Sequence, residues 1–118
     1  MKDLETLVEE SYETLPEEVR ALPDFPSIEV MDEPTDELKK EKSFPPGVEI
    51  LGLFLGVPRT AKLHNSILFS PTVIHIYRGP INRCTTPTTL EPTVKRVVWH
   101  EVAHWLGHPE GDMERLGL

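Results

Sequence analysis

The chain has 118 residues, enough for one compact domain with one core, and its twenty acidic residues against twelve basic ones give a net charge of −8. That field repels phosphate backbones and anionic headgroups, so nucleic acid and membrane surfaces are not expected as partners, whereas a basic peptide or a cation is compatible. Cys84 is the only cysteine, which excludes an internal disulfide, and neither a basic-then-apolar leader nor an apolar run of membrane length is visible, so the expectation is one cytoplasmic domain over residues 1–118.

Leu4, Leu7, Val8, Tyr12, Leu15, Val19 and Leu22 recur at helical spacing with acids between them, which predicts an amphipathic helix from about residue 2 to 22. Pro16 breaks or kinks it, and Thr14 is placed to cap a second short segment, PEEVRAL. Ser27 to Met31 follows two prolines and alternates apolar with polar, so it predicts a first strand ending at the DEP turn. The charged, proline-bounded stretch DELKKEKSFPPG reads as a surface loop.

Val48 to Val57 is an apolar run with two glycines, suited to a buried strand or to a turn that approaches a ligand. PRTAKLHNS reads as connecting loop. Thr72 to Arg78, opened by Pro71 and closed by Gly79-Pro80, is the strongest strand signal in the chain. A last long helix is predicted from Thr88 or Thr89 as N-cap, with Pro92 in its first turn. Val94, Val97, Val98, Val102 and Leu106 give that helix an apolar stripe, and Gly107 before His108-Pro109 gives a stop. Helices and strands in this order, without a regular βαβ rhythm, predict a small α+β domain.

The helix carries His100-Glu101-Val102-Ala103-His104. Histidines four apart project from one helix face a turn from each other and can share a tetrahedral metal, while Glu101 beside the first reaches a metal-coordinated water from outside the ligand set. Zinc held by neutral imidazoles lowers the pKa of its water from about 15.7 toward roughly 7. Glu101 would take the proton as the water attacks a carbonyl and pass it to the leaving amine, so amide hydrolysis is the reaction this set suits best. Catalytic zinc usually takes a third protein ligand. Gly107 lets the chain turn back, leaving His108, Glu110 and Asp112 as candidates; Glu110 is favoured by its interval of ten residues from His100, with Asp112 second. Asp112 also suits an N-cap for DMERLGL, and His108 the helix C-terminal dipole.

HEVAHWLG followed by an acid at position 110 resembles the HExxHxxGxxD pattern of the small bacterial zincin-like metallopeptidase family, a minimal zincin fold. LPEEVRAL, IEVMDEP, ILGLFLGVP, IHIYRGPINR and GDMERLGL resemble that family too, so the likeness covers nearly the whole chain. It implies an α+β minimal zincin-like domain, with a small sheet packed against the N-terminal helix and the motif helix. It also implies Zn2+ as cofactor, His100 and His104 as ligands, Glu101 as base, an acidic third ligand at Glu110, and a peptide or protein as substrate. The chain departs from the pattern in having Glu110 where Asp is usual.

Zincins generally bind substrate as an added strand beside an edge strand, and 72–78 is the natural candidate for that edge. Tyr77, Arg78 and Arg83 could aid an oxyanion; a core aromatic and two partners for surplus carboxylates is the simpler reading. His64 and His75 read as ordinary loop and strand residues, and Cys84 lacks the surroundings that activate a thiol. With fourteen residues after His104, a shallow site is expected. A second function class, a zinc-binding or partner-binding module that keeps the fold without turnover, is distinguished by stoichiometric zinc without peptide hydrolysis.

Overall fold

The computed structural model describes residues 2–59 and 72–107. The expected N-terminal helix is divided at Pro16 into α1 (Leu4–Glu13) and α2 (Glu17–Arg20). Asp3 starts α1, its side chain accepting the Thr6 N–H at 2.8 Å. Leu4, Leu7, Val8 and Ser11 form its buried face. Thr14 does not cap α2: it closes α1, its hydroxyl donating to the Ser11 carbonyl at 2.6 Å and accepting from Trp99 Nε1 at 2.9 Å. That hydroxyl is committed to the end of one helix and to a tryptophan on another, and α2 starts at Pro16 without a side-chain cap.

β1 (Ser27–Met31) forms where alternation predicts it. The stretch expected as surface loop instead contains α3 (Asp36–Glu41), with the Thr35 side chain accepting the Leu38 N–H at 3.1 Å. Asp36 and Glu37 in its first turn and Lys39 and Lys40 in its last complement the helix dipole. None of its residues is buried, so capping and charge order, rather than an apolar stripe, support it.

β2 (Gly52–Leu55) comes from the glycine-containing apolar run, and β3 (Val73–Tyr77) from the strongest strand signal. Most of PRTAKLHNS, including His64, lies outside the described residues. α4 (Arg78–Cys84) follows β3 directly, although Gly79-Pro80 reads as a stop. Pro80 lies within the first turn, where a helix has no use for its missing N–H. α5 (Leu90–Leu106) is the long motif helix; it starts after Thr89 and ends at Gly107, whose φ of 97° closes it in the left-handed conformation. Thr89 makes no side-chain bond into α5; its Oγ1 accepts the Thr86 N–H at 2.9 Å instead.

The three strands form one mixed sheet in the order β1-β3-β2, with β1 parallel and β2 antiparallel to β3. β3 is therefore central, and the expectation that 72–78 forms an open edge is corrected. A pattern of β-branched residues signals a strand, and one buried on both sides has the strongest such pattern, so signal strength points to the centre. Ile74 and Ile76 of β3, Val94, Val98, Val102 and Trp105 of α5, and Leu4 and Leu7 of α1 share one core. Trp105 has no exposed surface and meets Phe25 edge to face at 5.2 Å, which in turn meets Tyr12 at 5.3 Å. The arrangement is α+β, as expected, with α5 held between α1 and the sheet edge at β2.

Candidate metal centre

Burial of Val94, Val97, Val98, Val102 and Trp105 against the core turns another side of α5 outward, and His100 and His104 lie there, half-buried. Their Nε2 atoms are 3.2 Å apart, with rings edge to face and centroids 4.8 Å apart. Glu101 is buried, at 7% exposure, and the ligand-type atoms of all three residues lie within 4.8 Å of one another.

This donor set fits a zinc ion. Imidazole nitrogens sit about 2.0–2.1 Å from zinc, so two of them along one tetrahedral edge are about 3.3 Å apart. The observed 3.2 Å is that edge length. The same spacing serves a hydrogen bond between the rings when one Nε2 carries a proton, and a metal would take that proton's place. Glu110, Asp112 and His108, the sequence candidates for a further ligand, lie outside the described residues.

One side of the centre is closed by β2. The register puts Leu53 opposite His75, and the Tyr77 N–H donates to the Leu51 carbonyl at 2.9 Å, so the peptide groups of Gly52 and Phe54 face away from β3. The Phe54 N–H donates to Glu101 Oε1 at 3.0 Å. A backbone donor on the sheet edge thus fixes the orientation of the motif carboxylate. Gly52 makes that approach possible: a Cβ there would lie 2.6 Å from Val97 Cγ1 and 3.4 Å from Glu101 Cγ. Phe54 acts through its main chain, so no side-chain motif could have identified it; the glycine in an apolar strand was the available signal.

Between β2 and α5 opens a cleft of about 620 Å³. Phe44, Val48, Leu51, Leu53 and Pro58 line one wall, and Arg96, His100, Glu101 and His104 the other. Its size is ordinary for a small-ligand or peptide cleft, about 300–1,000 Å³. Residues 44–58 supply one wall of this cleft.

The other sequence candidates are placed elsewhere or occupied. Tyr77 is 1% exposed, its hydroxyl 3.2 Å from His75 Nδ1, and burial first and the Glu101 charge second push its phenol above the usual range. Arg78 is paired with Glu5 and, at 3.6 Å, with Asp32. Arg83 donates to both oxygens of Glu33 and to Glu49, each at 2.8 Å. Both arginines thus serve surplus carboxylates. Cys84 is a free, exposed thiol on α4, outside the cleft lining.

No curated protein matches the chain significantly. The family model of zincin-like metallopeptidases matches residues 26–118, a span that takes in all three strands, α3, α4 and the whole of the histidine-bearing helix. With well over half of its length matched and the His-Glu-His group on α5 at the sheet edge, the chain belongs to the zincin-like metallopeptidase family.

Proposed function

We propose that this protein is a zinc-dependent peptidase that hydrolyses peptide bonds with His100 and His104 as metal ligands and Glu101 as general base. Membership of the family implies a metal ion, usually zinc, and a peptide or protein substrate. The observation that carries the reading is the 3.2 Å separation of two imidazole Nε2 atoms beside a buried carboxylate, at the wall of an open cleft. Glu110 completes the ligand set in this proposal, with Asp112 the alternative; the left-handed conformation of Gly107, which ends the helix, is compatible with such a ligand a few residues on.

When bound, zinc would supply Lewis acidity, bringing a water's pKa down toward about 7 and polarising the scissile carbonyl. The chain's own residues do the rest. His100 and His104 present their Nε2 lone pairs on one face of α5. Glu101, steadied through Oε1 by the Phe54 N–H, accepts the proton of the attacking water and delivers it to the departing nitrogen. The outward-facing peptide groups of β2 other than the Phe54 N–H, which Glu101 already takes, suit an extended substrate laid alongside, so β2 replaces 72–78 as the docking edge.

We further propose that residues 1–118 work as one domain, since α1 lies outside the matched family span but packs along α5. Cytoplasmic residence is supported by the free, exposed Cys84 thiol, which a reducing compartment preserves. No described helix is long and apolar enough to cross a membrane.

Glu101→Gln tests the chemistry. It is expected to retain stoichiometric zinc while peptide hydrolysis falls by about 10²–10⁴-fold, the range for loss of a general base. Hydrolysis persisting at the wild-type rate would remove Glu101 as base; zinc at full occupancy with no hydrolysis even in the wild type would favour a binding module.

A further inference from the structure

Several arginines of this acidic chain are matched by carboxylates, which makes the charge of the cleft informative. Among the described arginines, Arg59 is held by Asp24, Arg78 by Glu5 and Asp32, and Arg83 by Glu33 and Glu49, while Arg20 donates to the Leu15 carbonyl. Arg96 has no ion-pair or hydrogen-bond partner among the described residues, and it is exposed on the cleft wall. Among the described residues it is the only lysine or arginine in the cleft lining. Glu49, the acid on the opposite wall, is already matched by Arg83 Nε at 2.8 Å, so it does not neutralise Arg96.

Position adds to charge. Arg96 precedes His100 by four residues, so it lies on the same face of α5, about 6 Å along the axis toward the N-terminus. An extended peptide advances about 3.3 Å per residue. A side-chain carboxylate one or two residues from a carbonyl held at the His100–His104 pair therefore comes within the guanidinium's reach. The neighbouring cleft wall is apolar, with Val48, Leu51 and Leu53, which strengthens a charge pair relative to open water.

Resting on the peptidase reading above, we propose that Arg96 is a specificity-determining residue that selects peptides carrying Asp or Glu within two residues of the scissile bond. The net charge of −8 disfavours polyanionic partners at long range, whereas a single carboxylate in the cleft responds to the charges within about 8 Å at physiological ionic strength. Arg96 would engage the substrate carboxylate through two parallel N–H donors, a geometry that an amide isostere cannot match in charge.

The test pairs hydrolysis with binding. Fluorogenic peptides carrying Asp, or Asn in its place, at each of the two positions on either side of the cleaved bond are compared with zinc-loaded wild type and Arg96→Gln. Wild type is expected to favour the Asp peptide at one position by about 10-fold in kcat/KM, the scale of one charge-assisted contact, and Arg96→Gln to bring the ratio to near one. Arg96→Glu is expected to invert the preference toward Lys at that position. Calorimetric affinity for the same peptides is measured in parallel on zinc-loaded Glu101→Gln and on Glu101→Gln/Arg96→Gln.

An Asp preference in affinity that vanishes with Arg96, in a protein that hydrolyses nothing, would leave the recognition standing and sink the peptidase reading. An Asp preference that survives Arg96→Gln would overturn the inference and assign selection to the metal. So would equal affinity for Asp and Asn peptides, or binding of neither.

Discussion

Gly52 decides how close the sheet edge comes to the histidine helix. A methyl group there would press within 2.6 Å of Val97 Cγ1, on a buried helix position. Gly52→Ala is expected to cost about 1–3 kcal/mol through overpacking, read as a lower midpoint in denaturant unfolding. It would also move the Phe54 N–H away from Glu101, so peptide hydrolysis should fall more than zinc affinity does. A variant as stable and as active as wild type would contradict the close approach. The histidines and glutamate themselves were legible in the sequence, because i, i+4 spacing on a helix is a local property. Arg96 and the Phe54 amide were not, since what distinguishes them is their placement against residues far along the chain.

Elements were legible where burial imposes a period. α1, α5, β1 and β3 each carry one, and each formed within a few residues of its expected place. α3 has no buried residue and α4 crosses a Gly-Pro pair, so neither shows an apolar period to read. For α3, Thr35→Ala should raise amide exchange over residues 38–41 by roughly 5-fold, as loss of an N-cap of about 1 kcal/mol predicts, while the global unfolding midpoint barely moves. The link between the end of β1 and α4 is electrostatic: the Arg83 guanidinium holds the Glu33 carboxyl below its usual range. A carboxyl depressed in the folded state stabilises above its unfolded value near 4.5, and loses that contribution as pH falls through the lower folded value. Thermal midpoints of wild type and Glu33→Gln should therefore differ slightly at pH 6 and converge as the pH drops below 4. A gap that widens on acidification would contradict the pairing. Strand order, by contrast, is set by long-range pairing, which is why β3 proved central and β1 and β2 are the edges among the described strands.

The fold places a core-anchored helix beside the sheet edge at β2, and the metal centre depends on both. Because His100 and His104 face each other only when α5 is formed and docked, zinc should bind the folded chain in preference to the unfolded one. Free zinc at 100 times its dissociation constant would then add about 2.7 kcal/mol, seen as a higher thermal midpoint that a chelator reverses. An unchanged midpoint would point to a fold that does not use the ion. Most direct is a titration of hydrolysis itself: zinc added stepwise to metal-stripped protein, with cleavage of a fluorogenic peptide followed at each step. Activity is expected to rise and saturate at one zinc per chain in wild type, and to stay near baseline throughout in Glu101→Gln. Cleavage that is full before any zinc is added, or that rises equally in Glu101→Gln, would contradict this expectation.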